Sequence, residues 1–424
     1  MKIEISNGRV IDPRQKIDRK ASLYVAAGKV AAVGEQPAGW RPDRVIDAAG
    51  LVVCPGLIDA SARLREPGLE YKATLESEVA AAVAGGVTRL ACPPDTDPPL
   101  DEPGLVEMLK HRARALNLAH VHPIGALTVG LKGHAITEMG ELTEAGCVAF
   151  SHADAALVDT QVMLRALQYA ATFGYRVWLR PQDVHLGRGG VAHDGEVATR
   201  LGLAAIPGFA ETIALETIFE LVRATGVHVH LARLSTHDGV ARVRAAKKAG
   251  LPVTCDVAIH HVHLCDVDIG WFNAHCHLVP PLRGLRDRAA LRAGLADGTI
   301  DVICSDHTPV DDDAKQVPFA ETEPGATGLE LLLPLTLKWA HEEKLPLPAA
   351  LARITAEPAR VLGLDAGHLG TGADADVCIF DPDWRWVVEP AALKSQGKNT
   401  PFLGFELTGR ARYTLVGGQV VHEA

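Results

Sequence analysis

Three histidine groups and a set of arginines and aspartates are the residues whose types and spacing could carry chemistry. The histidine groups are His228-x-His230, His260-His261-x-His263, and His275-x-His277 with Cys276 between. On a strand, His-x-His sets both rings on one face, the arrangement a metal ion needs. A relocated metal site built from them is one reading. Packed or surface imidazoles are the preferred one, because His228 and His230 precede the end of their strand. The arginines are Arg63, Arg65, Arg180 and Arg233, and the carboxylates that could meet them are Asp59, Asp154, Asp183, Asp256 and Asp306. Planar guanidinium forks either pair with such carboxylates or recognise a bound carboxylate or phosphate. Unpaired buried charges are costly, so internal salt bridges are favoured over an open anion pocket.

These residues lie at or near the ends of short apolar runs. The runs are Leu51–Asp59, Thr88–Cys92, His120–Leu127, Cys147–Ser151, Tyr175–Leu179, Val227–Ala232, Pro252–Ala258 and Asp301–Ser305. Helix-like stretches such as Thr74–Ala84, Gln161–Thr172, Glu211–Thr225 and Ala241–Lys248 separate many of them. Eight strands alternating with helices predict a parallel (β/α)8 barrel over residues 51–369. Active groups of such barrels sit where strands end at their C-terminal side. Residues 1–50 and 370–424 read instead as short strands with tight turns at Asn7-Gly8, Ala27-Gly28 and Gly417-Gly418. They predict one β-sandwich assembled from both ends of the chain. Leu186–Gly190 and Asp311–Asp313 read as candidate mobile segments, with plain solvated loops the preferred reading.

The whole set of motifs resembles the amidohydrolase superfamily, and within it the bacterial dihydroorotases. The resemblance rests on Pro55-Gly56-Leu57-Ile58-Asp59, Arg65-Glu66-Pro67-Gly68, Pro280-Pro281-Leu282-Arg283 and Ser305-Asp306-His307-Thr308-Pro309. It runs nearly end to end and includes the flanking sandwich. Active members are implied to open with Asp-x-His-x-His-x-Arg-Glu-Pro-Gly, whose histidines bind zinc. Further ligands follow the fourth, fifth and sixth strands, and a catalytic Asp follows the eighth. Here the ligand positions fall on Ser61, Arg63, Ala153, Arg180 and Arg233, and only Asp306 keeps its type. Arg65 stands where relatives hold the substrate carboxylate. Asp95 and Val279 replace two expected asparagines, and Val310 an expected histidine. His260-His261 coincides with a pair that members carry after the seventh strand, where a structural role suffices.

Zinc needs lone pairs from imidazole, thiolate or carboxylate. A guanidinium offers five N–H donors, no acceptor and a permanent positive charge. Like unit charges ~4 Å apart repel by about 4 kcal/mol at an effective dielectric near 20, and a dication among three arginines fares worse. The expectation is therefore a catalytically inactive homologue with no metal cofactor and Asp306 as a vestige. Metal-free chemistry by Asp306 with a neighbouring histidine, or an anion-binding module built on Arg63, Arg65, Arg180 and Arg233, are the competing readings. The resemblance further implies a noncatalytic, dihydroorotase-like subunit of pseudomonad type. Such a subunit assembles with the catalytic chain of aspartate carbamoyltransferase, as a hetero-dodecamer in pyrimidine biosynthesis.

Composition bounds the alternatives. Of 424 residues, 47% are hydrophobic and 22% charged, which excludes a disordered or fibrous chain. The net charge of −10, with no Lys/Arg run, argues against nucleic acid as a partner. No apolar leader or spanning run is evident, and the eight cysteines lack a C-x-x-C pair. The reading is a reducing cytoplasm.

Overall fold

The computed structural model describes residues 1–155 and 157–424. In the first strand, Lys2–Ser6, burial alternates and turns Ile3 and Ile5 inward. It lies in a four-stranded sheet in the order Lys29–Val33, Leu23–Ala26, Lys2–Ser6, Arg44–Asp47. Ala27 and Gly28, at φ 51° and 77°, make the hairpin turn between two of these strands. A six-stranded sheet follows the order Gln419–Glu423, Glu406–Val416, Val377–Val387, Val52–Pro55, Arg9–Asp12, Ile17–Lys20. Ile3, Val25 and Ile46 of the first sheet pack against Val53, Ile379 and Leu415 of the second. This is the sandwich expected from the two ends of the sequence.

One expected strand is in fact two. The run Leu51–Asp59 divides at Gly56: Val52–Pro55 belongs to the six-stranded sheet, and Leu57–Asp59 begins the barrel. The divide has a packing reason, since a Cβ at Gly56 would stand 2.2 Å from the Thr88 hydroxyl. Only glycine lets the backbone pass that close.

The barrel strands are β1 (Leu57–Asp59), β2 (Val87–Cys92), β3 (His120–Ala126), β4 (Ala149–Ser151), β5 (Val177–Leu179), β6 (Val229–Leu231), β7 (Val253–Ala258) and β8 (Val302–Cys304). They run in that order as one parallel sheet. Beyond its ends, Ala62 bridges His307, and the Arg63 amide donates to the His307 carbonyl at 2.8 Å, nearly closing the ring. Each strand is followed by a helix: α1 (Leu75–Ala84), α2 (Pro103–Leu116), α3 (Met139–Ala145), α4 (Thr160–Phe173), α5 (Phe209–Thr225), α6 (His237–Lys248), α7 (Leu285–Asp297) and α8 (Leu332–Glu342). Caps set their starts as the sequence requires; the Thr74 hydroxyl accepts from the Ser77 amide to open α1. Ile58, Ile124, Ala149, Trp178, Val302 and Cys304 form a core cluster with the helix Ala356–Leu362. At the other end, just past where the strands finish, stand Arg63, Asp95, Asp154, Arg180, Arg233 and Asp306. Among the described residues, no helix is long and apolar enough to cross a membrane.

Candidate functional site

At the C-terminal ends of the strands, four non-glycine residues adopt left-handed backbone: Arg65 (φ 61°), Ala153 (49°), Arg233 (58°) and Asp306 (46°). L-residues pay roughly 1–2 kcal/mol for that conformation, so the surrounding contacts must hold them there. For Arg233 and Asp306 the contacts are ionic.

Three guanidiniums and three carboxylates form one cluster. Arg63, on the segment beyond β1, donates from Nε to Asp95 at 2.8 Å and from Nη2 to Asp154 at 2.6 Å. Its Nη1 reaches Asp306 at 3.2 Å and the Thr308 hydroxyl at 3.0 Å. Arg233, beyond β6, donates from Nη2 to Asp154 at 2.5 Å. Its Nη1 lies 3.1 Å from Asp306 and 3.2 Å from the Val279 carbonyl. Arg180, beyond β5, brings Nε within 2.6 Å of Asp154 and donates from Nη1 to the Gln182 side-chain carbonyl. Both Arg63 and Arg233 are buried, whereas Asp154 keeps about a third of its side chain exposed (32%). Burial alone would push the Asp154 carboxyl up, but Arg233, Arg63 and Arg180 hold it well below the usual carboxylate range. Asp306 has weaker compensation: burial outweighs its two arginines and raises it.

The expected salt-bridge filling is therefore present, but with a different list of partners. Asp154 and Asp306 do pair with guanidiniums. Asp59 instead accepts the Ser305 amide and hydroxyl and the Ser61 amide, and burial pushes its carboxyl up to about 6. Asp183 accepts the backbone amides of His185 and Leu186. Asp256 takes the Arg233 backbone amide at 2.6 Å and His230 Nε2 at 2.9 Å, leaving the guanidinium to others. Arg65 stands apart from the cluster, donating from Nε to the Pro309 carbonyl at 2.8 Å with Glu323 3.9 Å away. Asp95 was missing from the expected partners. The sequence carries a signal for it: an acid replaces an amide at the same site where an arginine replaces a ligand histidine.

The histidines have other occupations. His152 has Nδ1 2.9 Å from the Ala155 carbonyl, so that nitrogen carries the proton and Nε2 accepts from the Thr128 hydroxyl at 2.8 Å. His230 bridges Thr254 and Asp256, His261 meets the Pro280 and Pro281 carbonyls, and His263 meets the Leu335 carbonyl. His277 pairs with the Thr322 hydroxyl. His307 accepts the Gly328 amide at Nδ1 and donates from Nε2 to Glu78 of α1, also at hydrogen-bond distance. Among the described residues, no three His, Cys, Asp or Glu side chains are grouped to hold a metal ion.

The fold family implies zinc at these strand ends, and the residues present do not fit it. Ser61 and Ala153 offer weak or no ligation, and Arg63, Arg180 and Arg233 place N–H donors where lone pairs are required. Asp154 already accepts from Arg63 and Arg233 and lies against Arg180, so its charge is committed to guanidiniums.

A family model described as dihydro-orotase-like matches residues 50–239, and one described as the amidohydrolase family matches residues 191–422. A dihydroorotase-like protein of Pseudomonas aeruginosa is 45% identical over all of both chains. A protein named dihydroorotase from Geotalea daltonii is 44% identical, again over all of both. Among solved structures, L-hydantoinase from Arthrobacter aurescens superposes with a TM-score of 0.89 at 25% identity, covering 99% of this chain and 96% of that one. With motif order, barrel, sandwich and full-length relatives in agreement, the chain belongs to the dihydroorotase-like proteins of the amidohydrolase family.

Proposed function

We propose that this chain is a noncatalytic dihydroorotase homologue that serves as an assembly subunit of aspartate carbamoyltransferase in pyrimidine biosynthesis. The observation that carries the first half is the cluster itself: three guanidiniums, bound by Asp95, Asp154 and Asp306, at the metal-ligand positions. Without a metal, the barrel end has no Lewis acid for the amide carbonyl and no hydroxide source near neutral pH. Asp306 is engaged by Arg63 and Arg233 and is not free to act as a base. The second half rests on the resemblance to the pseudomonad type; a Pseudomonas aeruginosa relative carries the name dihydroorotase-like protein.

One preparation tests both halves. The chain is co-expressed with the aspartate carbamoyltransferase chain of its own organism and sized, with zinc and dihydroorotate turnover measured on the same sample. A stable high-mass complex, sub-stoichiometric zinc and no turnover are expected. Stoichiometric zinc with turnover abolished by Asp306→Ala sinks the noncatalytic reading; separate elution of the two chains sinks the assembly reading.

A further inference from the structure

Arg180 is the least neutralised member of the cluster, and it faces a cavity that the barrel centre does not contain. Arg63 and Arg233 each touch both Asp154 and Asp306, whereas the one carboxylate at Arg180 is Asp154, which the other two share; its Nη1 and Nη2 donate to the neutral Gln182 side-chain carbonyl and Asp154 backbone carbonyl. Its Nε lies near Asp154 without a hydrogen-bonding angle to any acceptor among the described residues. Burial, with Arg233 and Arg63 close by, holds the Arg180 guanidinium below its ordinary range despite Asp154. A further anion beside it would relieve that imbalance.

The cavity measures about 410 Å³ and opens outward between the ends of β4 and β5 and the helices α4 and α5. Arg180 lies at one side of it. Leu157, Met163, Leu179 and Ile218 supply apolar lining, and the partly exposed Val158 (54%) and Ile213 (46%) line it too. The acids that line it are already engaged. Asp154 is bound by three arginines, and Asp183 is held by two backbone amides and offset in sign by Arg188, which also lines the cavity. A site of this size, its lining divided between apolar side chains and polar ones that include the cations Arg180 and Arg188, suits an amphiphilic anion.

We propose that this cavity binds a small monocarboxylate with an apolar body, its carboxylate on Arg180 and its body against α4 and α5. The site differs from the four-arginine pocket expected at the barrel mouth, because Arg63 and Arg233 are saturated and Arg65 is turned away. It does not depend on the assembly role.

Isothermal titration of the purified full chain tests it, with octanoate and 3-phenylpropionate as probes and octan-1-ol and acetate as controls. Saturable binding of at least one acid, with neither control binding, is expected; the two acids distinguish a fatty-acyl from an aromatic source. Loss of the charged hydrogen bond in Arg180→Gln is expected to weaken binding by about tenfold or more. Ile213→Glu, at a half-exposed position of α5 where a charge is tolerated, sets a second carboxylate beside the first and is expected to weaken it too. If Arg180→Gln fails to fold, Ile213→Glu decides. No saturable heat with either acid, equal binding of octan-1-ol, or full affinity in the folded variants overturns the proposal.

Discussion

Asp154 has two carboxylate oxygens and three guanidiniums around them. Removing that charge leaves Arg63, Arg180 and Arg233 with two carboxylates between them, in a mostly buried setting. Breaking one partner of a buried ionic group costs far more than removing both. Asp154→Asn is expected to lower stability by about 3 kcal/mol, read from the urea midpoint. Adding Arg180→Met should return part of that loss, because the uncompensated cation leaves with its partner. Equal destabilisation in the single and double variants would show that the ionic balance is not the cause. At this scale the sequence was partly legible. The arginine types and their strand-end positions were visible, and so was the logic of pairing. Which aspartate meets which arginine was not, because Asp59, Asp95 and Asp256 differ by local backbone donors that only the fold brings near. Ser305, for one, reaches Asp59 from just beyond β8, across the closing seam of the barrel.

Among the elements, each of the eight runs falls on one of β1–β8, and the four helical stretches read from the sequence fall on α1, α4, α5 and α6. The exception is the first run, where the signal was present and unread: Pro55-Gly56 is a break in an otherwise continuous apolar stretch. At that break the chain passes from one sheet to another within a single residue. Gly56→Ala would drive a methyl group into Thr88, with contacts of 2.2 Å and 2.4 Å to its Oγ1 and Cγ2. A loss of about 1–3 kcal/mol is expected, as for other overpacked core sites. Thr88→Ala removes those two atoms, so the double variant should lose less than the sum of the singles. Strict additivity in a double-mutant cycle would argue that the clash is relaxed elsewhere.

For the molecule as a whole, buried neutral histidines set the response to acid. Burial lowers His122 and His260 to about 3, and His228, His261, His263 and His277 to about 4. Unfolded, each takes a proton near 6.5, so below that pH the unfolded chain binds more protons than the folded one. Stability is then complete above about 6.5 and falls as pH drops toward 4. Asp59 works the other way, since its raised carboxyl takes up a proton in the folded state first, and burial raises Asp306 and Glu330 too, but these are three groups against six. Scanning fluorimetry should show a melting temperature that declines steadily from pH 7 to pH 4.5. A flat or rising profile would contradict this account. The sandwich was legible from its turns, but its order of assembly was not.

That order has a bearing on biosynthesis. In the six-stranded sheet, residues 52–55 lie between residues 9–12, made just before them, and residues 377–387, made only after the barrel. On the ribosome the early strands therefore emerge with one flank unpaired and stay so while the entire barrel is translated. A nascent chain of this design spends most of its synthesis with an open edge that a chaperone, or a neighbouring nascent chain, can occupy before its own C-terminal partner arrives.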